Sequence, residues 1–135
     1  MAGDYLLDTN ILIDLIKEDE KIVARIEEAD NVYMPVNALG ELYYGAYNST
    51  QLTKHLAETI AIEKNIIVLV TTASTAKVYG QIKSKLKKMG NPIPDNDIWI
   101  AAIAMEHDLT VLTGDKHFQA IDGLKLELWV KSKLS

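Results

Sequence analysis

The run Asp4-Tyr-Leu-Leu-Asp8-Thr-Asn-Ile-Leu-Ile-Asp-Leu-Ile16 decides the fold class. It opens with a short apolar stretch suited to a buried strand. Asp8-Thr-Asn10 then brings polar side chains to a helix start, where Thr9 or Asn10 can cap. Ile11, Leu12, Leu15 and Ile16 follow at helical spacing. A strand thus runs straight into a helix. The rest of the chain repeats the alternation. Ile22, Val23 and Ile26 mark a second short helix, and Asn31-Val-Tyr-Met34 a strand that Pro35 stops. Val36, Leu39, Tyr43 and Ala46/Tyr47 give the next helix an apolar stripe. Leu52, Leu56 and Ile60 mark another, ending at Asn65. Residues 66–70 are rich in β-branched side chains and too few for a helix, so they read as a strand.

Thr72 or Ser74 can cap a long helix carrying Ala76, Tyr79, Ile82, Leu86 and Met89, terminated by Gly90 and Pro92. Residues 96–107 form a nearly all-apolar helix, which must be buried on most sides. Residues 109–113 make a strand closed by Gly114. Leu124, Leu126, Leu128 and Val130 alternate with Lys125, Glu127, Trp129 and Lys131, the period of a half-buried edge strand. Alternating elements with right-handed crossovers predict an α/β fold. It is a three-layer α/β/α sandwich around a mainly parallel sheet of four to five strands, in a single domain over residues 1–135.

Composition narrows the classes. The chain has 135 residues, 48% of them hydrophobic, enough for one core without staples. Zero cysteines exclude disulfide frameworks, cysteine-based zinc sites and thiol catalysis. No apolar run approaches the ~20 residues of a membrane span. The first 15 residues are acidic where a secretory signal would be basic, so a mature cytoplasmic protein is expected. A net charge of −5 argues against binding nucleic acid through one large positive field.

The acids carry the chemistry. In open α/β sheets ligands bind beyond the carboxyl ends of the strands. Asp8 and Asp115 follow two such ends. Asp97 opens the apolar helix, where the helix dipole favours a carboxylate. Glu41 lies mid-helix among Leu39, Leu42, Tyr43 and Tyr44, and if buried it needs a counter-charge. Clustered carboxylates repel, and without a cation some take up protons. Oxygen ligands without sulfur select hard divalent ions, Mg²⁺ or Mn²⁺. Without these four acids, the remaining fifteen nearly balance the fourteen bases. Such a site suits phosphodiester hydrolysis, in which a divalent ion lowers the pKa of a water toward ~7.

Four motifs stand in a telling order: Asp8-Thr-Asn10, Gly40-Glu-Leu-Tyr-Tyr-Gly45, Asn96-Asp-Ile-Trp-Ile-Ala-Ala102 and Leu112-Thr-Gly-Asp-Lys-His-Phe118. In order and spacing they resemble the PIN-domain ribonucleases, and the chain looks like a VapC-type toxin of a toxin–antitoxin pair. The resemblance spans essentially the whole chain. It implies Mg²⁺- or Mn²⁺-dependent endonucleolytic cleavage of RNA. It places Asp8, Glu41, Asp97 and Asp115 at the family's catalytic and metal-binding positions, with Thr9 and Thr113 in support. It further implies a homodimer, and a cognate antitoxin whose C-terminal segment enters the active-site groove. Asp95 departs from the pattern and reads as a turn or cap residue after Pro94.

Plainer readings apply to several residues. Asp8 could simply cap a helix, Asp97 serve a dipole, and Asp115 sit in a Gly-Asp turn. Lys83, Lys85, Lys87 and Lys88 could contact an RNA backbone or form a solvated helix face. Tyr43, Tyr44 and Tyr47 could stack bases, but at helical spacing they suit a core or dimer surface. His55 reads as structural or solvated, and His107 as a helix-end residue whose protonated form the dipole favours. His117 could touch a phosphate but reads better as a loop residue anchoring the packing of Phe118. Two rival functions are a non-catalytic PIN-like binding module and a haloacid-dehalogenase-type phosphatase. The second lacks its acid/base, because position 10 is Asn rather than Asp.

Overall fold

The structure, a computed structural model, describes residues 3–130. Five strands form one sheet in the order β3-β2-β1-β4-β5, with every neighbouring pair parallel. They are β1 (Asp4–Leu7), β2 (Asn31–Pro35), β3 (Ile67–Leu69), β4 (Thr110–Thr113) and β5 (Leu126–Leu128). β1 is the centre: Tyr5 sits in register with Val32 on one side and with Thr110 on the other. The chain winds outward from β1 to β2 and β3, then returns to β4 and β5. The strand order therefore reverses between β1 and β4, where a crevice opens at the carboxyl ends.

Six α-helices cover the sheet: α1 (Thr9–Ile16), α2 (Glu20–Glu27), α3 (Val36–Tyr47), α4 (Leu52–Asn65), α5 (Ala73–Lys88) and α6 (Asp95–Glu106). A short 3₁₀ helix, Lys116–Ala120, follows β4. Side chains alternate across the strands and sort the core into two layers. Leu6 and Val111 pack under α5 and α6, together with Ile82, Leu86, Ile98 and Phe118. Tyr5, Leu7 and Leu112 pack on the other face against Ile11, Ile22, Leu39 and Leu42. Both faces of β1 are thus buried, which is why its sequence shows no polar alternation. The expected three-layer parallel sandwich is the architecture found.

Helix α6 buries Asp97, Ile98 and residues 100–104. Each large apolar side chain so enclosed contributes roughly 1.5–3 kcal/mol. α5 starts at the expected cap: Thr72 and Thr75 form a reciprocal capping box. It ends where Gly90 takes φ +67°, letting the Asn91 amide reach back to the Leu86 carbonyl. The edge strand is shorter than its alternation suggested, and Lys131 lies outside the described residues. No helix among the described residues is long and apolar enough to cross a membrane.

Two local expectations need correction. The cap of α1 is Asp8 itself, whose Oδ1 accepts from the Thr9 amide at 2.8 Å. Capping and site membership are not alternatives at this residue. Asp95 does not cap α6, which starts after Pro94 without a side-chain cap. Its Oδ1 accepts instead from Lys83 Nζ at 2.9 Å and Tyr79 Oη at 3.0 Å.

Candidate metal centre

Three aspartates from three distant parts of the chain meet at the carboxyl ends of β1 and β4. Asp8 leaves β1, Asp115 follows β4 and Asp97 lies in the first turn of α6. Asp8 is buried. Its Oδ2 accepts from Thr113 Oγ1 at 2.7 Å and from Asn10 Nδ2 at 3.3 Å. Thr113 is fully enclosed and fully used: the same hydroxyl accepts from the Asp115 amide at 3.0 Å and from Asn10 Nδ2 at 3.4 Å. One donor and two lone pairs are all that a threonine offers. Asn10 ties down the adjoining turn, its Oδ1 accepting from the Gly114 amide at 2.9 Å. A Cβ at Gly114 would stand 3.3 Å from the Trp129 carbonyl oxygen, a tight approach that a larger residue must push aside, and 3.6 Å from Asn10 Oδ1.

His117 completes the group. Its Nδ1 lies 3.2 Å from Asp97 Oδ2 and 3.0 Å from Asp115 Oδ1. One ligand atom from each of Asp97, Asp115 and His117 falls within 4.8 Å of the others. From the sequence His117 reads as a loop residue supporting Phe118; in the structure it also faces the acids. Phe118 is fully buried, and it anchors the 3₁₀ helix that turns the neighbouring His117 toward the acids. The spacing Asp-Lys-His was the available clue, since a tight turn folds position i+2 back over i. No lysine or arginine among the described residues forms an ion pair with Asp8, Asp97 or Asp115.

The electrostatics follow from this crowding. Burial pushes the Asp97 carboxyl up to about 6, and repulsion from Asp115 and Asp8 adds to it; His117 opposes the shift. Burial also raises Asp8, against the hydrogen bonds from Thr113 and Thr9, with Asp115 adding repulsion. Negative charge is concentrated here without a matching cation. Thr9 Oγ1, at the same corner, is buried and has no hydrogen-bond partner. Oxygen donors dominate, one nitrogen joins them, and sulfur is absent. That donor set fits a hard divalent ion.

Glu41 sits apart from this tight group. It is exposed, so it needs no buried counter-charge, and its Oε1 accepts from Asn96 Nδ2 at 2.7 Å. Asn96 precedes Asp97, so Glu41 is tied to the rim of the site through α6. Tyr44 and Tyr47 are 71% and 66% exposed, which removes the core reading for both; Tyr43 stacks on Tyr47. The lysines of α5 are all exposed. Lys83 is engaged by Asp95 and Lys85 by Asp122, while Lys87 and Lys88 lie in the last turn. His55 bonds the Ser49 hydroxyl, as a structural histidine would.

Comparison with known proteins gives consistent matches. The family model for the PIN domain matches residues 5–124. The ribonuclease VapC1 of Haemophilus influenzae (strain R2866) is 33% identical over 132 residues, covering 94% of this chain and 98% of that protein. The tRNA(fMet)-specific endonuclease VapC of Shigella flexneri is 32% identical, covering 93% and 97%. Among solved structures, DNA-bound VapBC from Salmonella typhimurium superposes with a TM-score of 0.87 at 30% identity, covering 95% and 99%. VapBC-1 from nontypeable Haemophilus influenzae gives 0.84 at 32%, again covering 95% and 99%.

Proposed function

The chain belongs to the PIN domain family, among the VapC ribonucleases, and from that premise we propose that it is a divalent-metal-dependent endoribonuclease, the toxin of a type II toxin–antitoxin pair. The observation that carries this reading is the meeting of Asp8, Asp97 and Asp115 at the strand-order reversal, with no lysine or arginine among the described residues paired to them and His117 alone beside them. Asp8, Asp97 and Asp115 would hold Mg²⁺ or Mn²⁺, with Glu41 at the rim and Thr9 and Thr113 in support. When bound, such an ion supplies positive charge against the phosphate and a water of lowered pKa.

The protein's own part is positioning. Thr113 holds Asp8 and the Asp115 backbone in one frame, so the two carboxylates keep a fixed separation. Asn10 locks the turn that carries Asp115. His117 spans Asp97 and Asp115 and is placed to donate to whichever carries charge. The amide at position 10 faces Asp8, which leaves a phosphatase mechanism of the Asp-x-Asp kind without its second acid.

The substrate of this reading is RNA, approached along exposed Lys83, Lys85, Lys87 and Lys88. The antitoxin segment would lie in the groove between α1, α3 and α4, about 710 Å³, walled by Ile13, Ile16, Leu42 and Ala46 with Glu41 on its edge. The exposed aromatic face of α3 offers apolar surface for a homodimer, and the protein acts in the cytoplasm as one domain over residues 1–135. The deciding experiment is cleavage of total RNA by purified protein. Cutting with Mg²⁺ or Mn²⁺, lost in excess EDTA and in Asp97→Asn, is expected. Cutting that persists in EDTA would overturn the metal dependence, and no cutting under any ion would favour a non-catalytic binding module.

A further inference from the structure

Asp95, Asn96 and Asp97 occupy the first turn of α6, and successive helical positions point about 100° apart. The protein uses all three directions. Asp95 reaches α5, at Tyr79 and Lys83. Asp97 faces the 3₁₀ helix, at His117. Asn96 reaches α3: its Nδ2 donates to Glu41 Oε1 at 2.7 Å, and its Oδ1 accepts from Asn37 Nδ2 at 3.2 Å. Asn37 and Glu41 are four residues apart on α3 and so share one face.

An ionised carboxylate only accepts, which fixes the direction of the whole chain of bonds. The Asn96 amide must turn its nitrogen to Glu41 and its oxygen to Asn37. That leaves Asn37 Oδ1 buried with no partner, an arrangement that costs stability and sets the orientation of the pair. Among the described residues, the hydrogen bond from Asn96 is the only one Glu41 receives. Without it, Glu41 would be a free surface side chain losing rotamer entropy on engaging an ion.

We propose that Asn96, braced by Asn37, is a positioning residue that holds the Glu41 carboxylate toward the Asp97 end of the site and so sets the contribution of Glu41 to metal affinity. This rests on the reading that the carboxylates hold a divalent ion. The test is calorimetric titration of Mn²⁺ into the metal-free full chain. The proteins are wild type, Asn96→Ala, Asn96→Leu, Glu41→Gln and the Asn96→Ala/Glu41→Gln pair. Asn96→Leu keeps the volume without the donor, and serves if Asn96→Ala is poorly folded by circular dichroism.

Loss of such an outer hydrogen bond is expected to weaken Mn²⁺ binding about 10–100-fold. Glu41→Gln should weaken it similarly, and the pair should be no weaker than Glu41→Gln alone, because both changes remove one arrangement. In RNA cleavage, kcat should fall while KM holds. Equal Mn²⁺ affinity in wild type and the Asn96 variants, or fully additive losses in the pair, would overturn the inference alone. Absence of Mn²⁺ binding by wild type would overturn the metal reading beneath it.

Discussion

Two charged clusters in this protein are built on opposite plans. In the first, Arg25 forks onto Glu127, with Nε and Nη2 each 2.6 Å from a carboxylate oxygen. The guanidinium also donates to Tyr5 Oη at 2.6 Å and lies 4.6 Å over the Tyr5 ring. Arg25 holds the Glu127 carboxyl below its ordinary range. In the second, Asp8, Asp97 and Asp115 crowd together with His117 as their one basic partner among the described residues, and Asp97 is pushed up to about 6. One acid is stabilised in its charged form and the other is not. The first cluster is complete within the chain and serves the fold. The second is complete only with something positive added, which is the physical mark of a binding site rather than a brace.

Four perturbations separate the two clusters, beginning with the most damaging to activity. Chelation, or Asp8→Asn and Asp97→Asn, should reduce RNA cleavage by orders of magnitude. The same chelation should leave the chain cooperatively folded, since the brace needs no ion; cleavage assays and thermal scans in parallel check both, and unfolding on chelation would tie the fold to the metal. Breaking the first cluster should do the reverse. Glu127→Ala, which leaves Arg25 largely buried without its partner, should cost about 2–3 kcal/mol in denaturant unfolding. It should leave kcat close to wild type. Loss of activity without loss of stability would erase the distinction drawn here.

The third test uses pH. Folded, metal-free protein holds the Asp97 proton more tightly than the unfolded chain, where the pKa is near 3.8. The stability this contributes is fully present below about pH 4 and is lost as pH rises through about 6. Metal-free Asp97→Asn should therefore exceed wild type at pH 7–8, by up to ~3 kcal/mol. The two should converge near pH 4. Unfolding midpoints across pH 4–8 measure this, and parallel curves would remove the crowding argument. The smallest effect concerns α5. Replacing Lys87 and Lys88 with Gln should leave stability unchanged within about 0.5 kcal/mol. It should weaken RNA binding in a salt-dependent way if that face tracks a backbone. A binding constant that ignores both substitution and salt would assign the lysines to solvation.

Most of the fold was legible along the chain because its signals are local. Apolar runs, helical spacing and the Gly90 stop each report on a few neighbouring residues, and every strand and helix read from them is present. The acids were legible for a related reason: each stands at the end of an element, as Asp8 and Asp115 do after β1 and β4. Side-chain partners were not legible in the same way. For Glu41 the sequence leaves burial open, with a counter-charge needed only inside; it is exposed and bonded to an amide. Asp95 reads as a turn or cap residue; it lies in the first turn of α6, does not cap it, and pairs with Lys83. His117 was set aside and lies between two carboxylates. In each case a partner comes from another element, 12 to 55 residues away, although Asp115 stands only two positions before His117.

The order of apolar and polar residues by itself determined a parallel α/β sandwich with carboxylates at its strand ends, because backbone geometry converts local periodicity directly into strands and helices. Only the tertiary structure decided that three of those carboxylates crowd together while Glu41 stands off on the hydrogen bond from Asn96. Side-chain reach is a few ångströms, so which groups touch depends on how elements pack, and packing is not written at any single position.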